Sequence, residues 1–134
     1  MHNIKENQDA ILLDFVRFTN RTNIQFGVTL FSNGQILSGK LISYKEYVEI
    51  LANSFKGNDA VETLFANYFN SCKEKEEENK DPEDIETESP PNFIHLKDIK
   101  IVKGNIVESR IDNPLRLKLS DVSGFIVGEI SMNN

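Results

Sequence analysis

Apolar residues recur at the spacing of an α-helix in three stretches of the chain. The first stretch, residues 9–20, predicts an amphipathic helix with Asp9 as its N-cap. A second helix is expected from about Tyr44 to Phe55, because Ser43 and Glu46 have the spacing of a capping box. A third follows after a short turn. The stripes of the first and third helices are expected to be buried; they are Ile11, Leu12, Phe15 and Phe18, and Val61, Leu64, Phe65, Tyr68 and Phe69.

Between the first two helices the pattern changes to alternation of apolar and polar residues. Residues 24–32 and 35–42 alternate in this way, which predicts two strands. Asn33-Gly34 joins them and is typical of a type I′ turn, because both central residues of that turn need a positive φ. Gly27 and Gly39 inside the strands are typical of a coiled or bulged sheet. This part of the chain therefore predicts an antiparallel hairpin.

The C-terminal third of the chain predicts three more strands, at residues 93–104, 114–120 and 125–131. In the first of them the apolar residues change face, which indicates a register slip or bulge near Asp98.

The order of these elements predicts a fold of the α+β class. It has an N-terminal helix and about five short, strongly bent antiparallel strands, with the helix pair inserted after the second strand. Such strands are expected to form either a small Sm-like or SH3-like barrel or a strongly bent antiparallel sheet. At 134 residues the chain is long enough for one domain, and we expect a single domain over residues 1–134.

One acidic segment carries the whole net charge of the chain. Residues 73–91 contain three lysines and nine acids, which accounts for the formal charge of −6. With one large apolar residue the segment cannot offset its ordering entropy, so we expect a flexible acidic loop within the domain. It is either a solvated spacer or an electrostatic contact segment. The candidate interaction residues are Glu76, Glu77, Glu78, Asp81, Glu83 and Asp84.

Residue types that carry catalysis or bind metals are scarce. The lone Cys72 excludes an internal disulfide and a cysteine-based zinc site, and favours a cytosolic location. His95 lies among apolar residues of a predicted strand, which favours a structural histidine over a catalytic one in a small hydrolase. We therefore expect no enzyme activity, cofactor or metal. Without a basic stripe or an apolar stretch of ~20 residues, we expect no nucleic-acid partner and no membrane partner.

Three motifs, in this order, resemble the gas vesicle protein GvpU family. They are ILSGKLISYKEY at residues 36–47, continuing to Leu51, FIHLK at 93–97, and VSGFIVGEIS at 122–131. Ser123 of the last motif stands where the family pattern has Asp. The resemblance covers most of residues 10–131, with a variable acidic stretch between the motifs.

This resemblance implies a non-enzymatic accessory protein of gas vesicles, without a cofactor. It implies a cytoplasmic protein at the vesicle surface that contacts the shell protein, and possible partners include a second copy of itself. It also implies an influence on vesicle clustering. The alternative is a general cytosolic Sm-like or SH3-like module that binds peptides or proteins.

Overall fold

The structure is a computed structural model, and it describes residues 9–78, 91–104 and 106–130. The chain divides into two compact units. Of the described residues, 9–43, 91–104 and 106–130 form what we call the sheet unit, and 44–78 form the helix unit. The two units are described separately below, and the expectation of a single domain stays a prediction.

The sheet unit contains six antiparallel strands. They are β1 (Phe26–Ser32), β2 (Gln35–Ile42), β3 (Phe93–Lys103), β4 (Ile106–Ile111), β5 (Leu115–Lys118) and β6 (Gly124–Val127). The order across the sheet is β4-β3-β2-β1-β6, and β5 pairs with the N-terminal part of β3. Among the described strands no pairing joins β6 to β4 or β5, so the sheet is open. The α+β class is confirmed, and of the two predicted forms the structure has the sheet.

Two local features of the sheet were predicted correctly from single residues. Asn33 and Gly34 have φ of 51° and 78° in the turn between β1 and β2, as a type I′ turn requires. The register of β2 on β3 shifts between Ser38 and Lys40, and Asp98 has φ of 53°. A Cβ on Gly39 would lie 2.9 Å from the Lys97 carbonyl oxygen. Glycine is therefore required where the bulged strand approaches its neighbour.

Strand β4 was not predicted. Its residues, IVESRI, are exposed or half-buried and show no clear alternation. The strand forms against the C-terminal half of β3, after Gly104 with φ of 64°. Its existence therefore depends on the free edge of β3 more than on its own sequence.

Helix α1 (Ala10–Thr22) packs its apolar side into the core of the sheet unit. The Asp9 carboxylate accepts hydrogen bonds from the N–H groups of Ile11 and Leu12 at 2.8 and 3.1 Å, which confirms the predicted N-cap. The buried face is rotated from the predicted stripe, because apolar residues occupy both sides of this short stretch. The buried residues are Leu12, Leu13, Val16 and Thr19, whereas Ile11 and Phe18 are exposed.

The helix unit consists of two helices, α2 (Tyr44–Ser54) and α3 (Ala60–Glu78). Gly57, with φ of 74°, lies in the turn between them. The Asp59 carboxylate accepts from the Glu62 N–H at 2.8 Å and caps α3. Helix α2 begins where the predicted capping box placed its start, although the box itself stays a prediction. The Ser43 hydroxyl donates to the Asn23 side-chain oxygen.

Candidate functional site

Helix α3 exposes a row of large apolar side chains. They are Val61, Leu64, Phe65 and Tyr68, with exposed fractions of 59%, 65%, 42% and 61%. We call these four residues the α3 face. The sequence predicted that the same residues would be buried, and this prediction was wrong. A row of this kind on one helix is unusual for a surface that has no partner.

Aromatic contacts explain which side of α3 is covered within the helix unit. Phe55 follows α2, and its ring lies 5.2 Å from the ring of Phe65 and 6.1 Å from that of Phe69. The Tyr68 ring meets the edge of Phe69 at 5.2 Å. The ring contacts of Phe55 pack the end of α2 against one side of α3. Of the α3 face, Phe65 meets Phe55 on that side, while Val61, Leu64 and Tyr68 stay more exposed. Helix α2 therefore covers only part of the α3 face.

The acidic residues predicted as an interaction segment begin on α3 itself. The helix continues through Glu78, so residues 73–78 are helical. Glu76, Glu77 and Glu78 therefore occupy its last turn. Asp81, Glu83 and Asp84 lie outside the described residues, as does most of the predicted loop. The contact role of these six residues stays a prediction.

The sheet unit has an exposed apolar edge of its own at β6. Ile126 and Val127 are 54% and 61% exposed. In the described part of the chain β6 pairs with β1 alone, so its outer backbone groups face away from the sheet. An edge strand with exposed β-branched side chains is suited to pairing with another extended segment.

Ser38 of the first motif and Gly128 and Ile130 of the last motif come together beside β1. The Gly128 N–H donates to the Gly27 carbonyl at 2.8 Å, and the Ile130 N–H donates to the Ser38 hydroxyl at 2.7 Å. The Thr29 hydroxyl lies 2.9 Å from the Gly128 carbonyl oxygen, to which it donates, and 3.1 Å from the Ser38 hydroxyl. Both hydroxyl groups are thus used in holding the chain after β6. These motif residues serve the fold.

Residues 128–130, which we call the strap, pass so close to β1 that Gly27 cannot carry a side chain. A Cβ on Gly27 would lie 2.7 Å from Cγ of Glu129. The Glu129 carboxylate lies 3.8 Å from the Lys100 ammonium group of β3, so it joins the strap to a third strand. Residues 128–130 therefore reach β1, β2 and β3.

His95, the histidine considered from the sequence, lies in β3 and is buried, with 3% exposed. Burial, together with the nearby Arg116 guanidinium as the smaller cause, lowers its pKa from 6.5 to about 4. The ring is therefore neutral at pH 7. Arg116 also stacks on Phe93, 4.0 Å from the ring centre. Because a general base must reach its substrate, this burial favours the structural role.

A pocket of about 270 Å³ lies beside the bulge of β3. It is lined by Asp98, Ile99, Lys100, Arg110, Ile111 and Asp112. Two carboxylates balance two cations in this lining, so it gives no net electrostatic preference for a charged ligand.

Two further observations bear on the class of protein. Within residues 9–78, 91–104 and 106–130, no group of three or more His, Cys, Asp or Glu side chains could hold a metal ion. None of the helices described here combines the length and the apolar character that a membrane crossing requires.

The fold and these surfaces define an α+β protein with an open antiparallel sheet, an inserted helix pair and apolar side chains exposed on both units. Residues 9–130 match the family model described as "GvpU-like: Gas vesicle protein GvpU-like". The chain therefore belongs to the GvpU-like family of gas vesicle proteins. Comparison with curated proteins and with solved structures returned no match.

Proposed function

We propose that this protein is a non-enzymatic gas vesicle accessory protein that acts in the cytoplasm at the vesicle surface. It associates with the vesicle surface or its shell protein and modulates how vesicles cluster. The observation that carries this proposal is the family match, which extends over residues 9–130 and so includes both units.

The exposed surfaces support a role based on protein contacts. The α3 face and the β6 edge present large apolar side chains on separate units. Exposed apolar surface of this kind is typical of protein interaction sites. The acidic segment adds a charged region whose repulsion would oppose association of vesicles that carry the protein.

Flotation with purified gas vesicles tests the association. Vesicles rise on centrifugation, so bound protein is recovered in the floating layer and free protein stays below. We expect the wild-type protein to float with vesicles in a saturable manner. A matched protein of similar size and charge serves as the control. Recovery no higher than that of the control would contradict the proposal.

Two variants that place a charge on an exposed apolar surface locate the contact. Ile126→Lys alters the β6 edge, and Leu64→Lys alters the α3 face. Ser109→Lys adds the same charge at an exposed polar position of β4 and is the control. We expect at least one of the first two variants to float less than the Ser109 variant. Equal flotation of all three would remove both surfaces from the proposal.

The acidic segment is tested through clustering. Replacing Asp81, Glu83 and Asp84 by their amides removes three negative charges while keeping side-chain size. Repulsion falls, so we expect larger vesicle clusters by light scattering, with the difference shrinking at high salt. Identical clustering with both proteins in low salt would indicate that the acidic segment is only a solvated spacer.

The alternative, a general peptide-binding module, is favoured by one observation. The β6 edge has the geometry that an added strand requires. Extended peptides rich in Val and Ile would then bind with or without vesicles present. Such peptides competing for the Ile126 edge, together with no flotation on vesicles, would favour this alternative.

A further inference from the structure

We infer that the α3 face is a homodimer surface, on which α3 of a second copy packs in the antiparallel direction. The proposal concerns the protein alone and does not rest on an action at vesicles.

The spacing of the residues on α3 fits pairing of two helices. Val61, Phe65, Tyr68 and Cys72 are separated by four, three and four residues. This is the alternation of a and d positions in a coiled coil. Leu64 directly precedes Phe65 on the helix and broadens this apolar stripe on its exposed side. Cys72 is half-buried and extends the row toward the C-terminus.

An antiparallel pair brings these positions into matching layers. Val61 then faces Cys72 of the second copy, and Phe65 faces Tyr68. Each layer combines an a position with a d position, as antiparallel coiled coils require. The arrangement is self-complementary, because the same two layers occur twice about a twofold axis.

The charge distribution selects the antiparallel direction. The C-terminal end of α3 carries Glu74 and the run of glutamates 76–78. A parallel pair would place these acids of the two copies side by side. In an antiparallel pair they are roughly 30 Å apart, from a rise of about 1.5 Å per residue. That exceeds the Debye length of about 8 Å at physiological ionic strength.

The charges close to the two ends of α3 are mixed in this register. Lys75 lies opposite residue 58 of the second copy, next to Asp59, which caps its α3. Glu74 lies opposite Asp59 itself, so these neighbours give no net charge complementarity. The antiparallel direction therefore follows from the separation of the two acidic C-terminal ends.

The available area predicts a weak dimer. An aromatic side chain presents about 150–250 Å² and the aliphatic Val61 and Leu64 present less, so the exposed fractions of the α3 face amount to roughly 400 Å² a copy. Two copies then bury roughly 800 Å², under the ~1,000 Å² typical of a specific interface. We therefore expect association that depends on protein concentration in the micromolar range.

Sedimentation equilibrium of the full chain tests the surface. We expect a monomer–dimer equilibrium for the wild type, and dimerisation weakened roughly tenfold or more by Tyr68→Glu. Asn67→Glu adds the same charge at a neighbouring exposed position off the stripe and is the matched control. A monomer at all concentrations, or equal effects of the two substitutions, would overturn the proposal.

Cross-linking tests the direction and remains informative if the Tyr68 variant fails to fold. In Val61→Cys the new thiol faces the native Cys72 of the second copy. Within one helix the two are about 16 Å apart, too far for a disulfide. We expect Val61→Cys to give a disulfide-linked dimer on mild oxidation. The wild type and the double variant Val61→Cys/Cys72→Ser should remain uncoupled, and efficient coupling of the wild type through Cys72 would overturn the antiparallel arrangement.

Discussion

Helices α1 and α3 carry similar apolar patterns, yet one covers a sheet and the other leaves its apolar face exposed. On α1, Leu12 has no exposed surface and lies in a core with Leu30 and Leu96. On α3, Leu64 is 65% exposed, and none of residues 60–75 is buried. A helical stripe of apolar residues therefore indicates that some surface should cover it, but does not identify that surface.

Matched leucine substitutions test this difference most directly. Leu12→Ala removes fully buried methyl groups and leaves a cavity, so we expect a loss of about 2–5 kcal/mol of stability. Leu64→Ala removes exposed groups, and we expect a change within about 0.5 kcal/mol in dilute protein. Urea unfolding of both variants gives the two values. A large loss for Leu64→Ala at low concentration would show that the α3 face packs within the monomer.

The buried His95 gives the sheet unit a pH dependence. Its pKa is about 4 in the folded protein, against 6.5 for the free side chain. Below pH 6.5 the unfolded chain gains a proton that the folded protein does not, so stability falls until the pH approaches 4. The full difference corresponds to roughly 3 kcal/mol.

His95→Leu isolates this effect, because both proteins share every other titrating group. We expect the wild type to lose more stability than the variant between pH 7 and pH 5 in denaturant unfolding. The comparison uses the slope of unfolding free energy against pH and not the absolute free energies, since the substitution changes packing as well. Parallel slopes would mean that His95 titrates normally in the folded protein.

A smaller effect is expected at the bulge between β2 and β3. Gly39→Ala places a Cβ 2.9 Å from the Lys97 carbonyl oxygen, so backbone must move at a cost of about 1–3 kcal/mol. Gly124→Ala in β6 is the control, because its Cβ would have its nearest neighbour at an ordinary 3.8 Å. Thermal unfolding that gave equal shifts for the two variants would contradict the steric account.

The correct sequence predictions were those that depend on a few adjacent residues. The Asp9 cap, the Asn33-Gly34 turn and the irregularity near Asp98 each follow from local backbone preferences. The exposure of α3 and the formation of β4 did not follow, because each depends on what another segment offers: β4 on the neighbouring strand β3, and the α3 face on a surface that would cover it. The edge of β3 supplies partners for β4, and nothing in residues 106–111 alone encodes that edge.

The candidate site was predicted less well than the fold. The sequence directed attention to Glu76–Glu78 and the acids after them, whereas the apolar surfaces lie at the α3 face and at Ile126 and Val127. The signal on α3 was visible as a 4-3-4 spacing. Such a spacing predicts a buried face, because most apolar stripes are covered within the same chain.

The smallest expected effects come from the two helix caps, and they address whether the two units unfold together. Asp9→Ala removes the bonds to two N–H groups of α1, and Asp59→Ala removes one at the start of α3. Each substitution should cost about 1 kcal/mol of stability.

The three tyrosines of the chain, Tyr44, Tyr47 and Tyr68, all belong to the helix unit. Tyrosine fluorescence therefore reports that unit.

A fluorescence transition can be compared with one followed by the NMR signal of His95 in the sheet unit. If the chain is one cooperative domain, each substitution shifts both transitions by the same amount, because unfolding is all-or-none. If the units unfold separately, Asp59→Ala shifts the fluorescence transition and leaves the His95 transition in place, while Asp9→Ala does the reverse. The single-domain prediction requires coincident shifts.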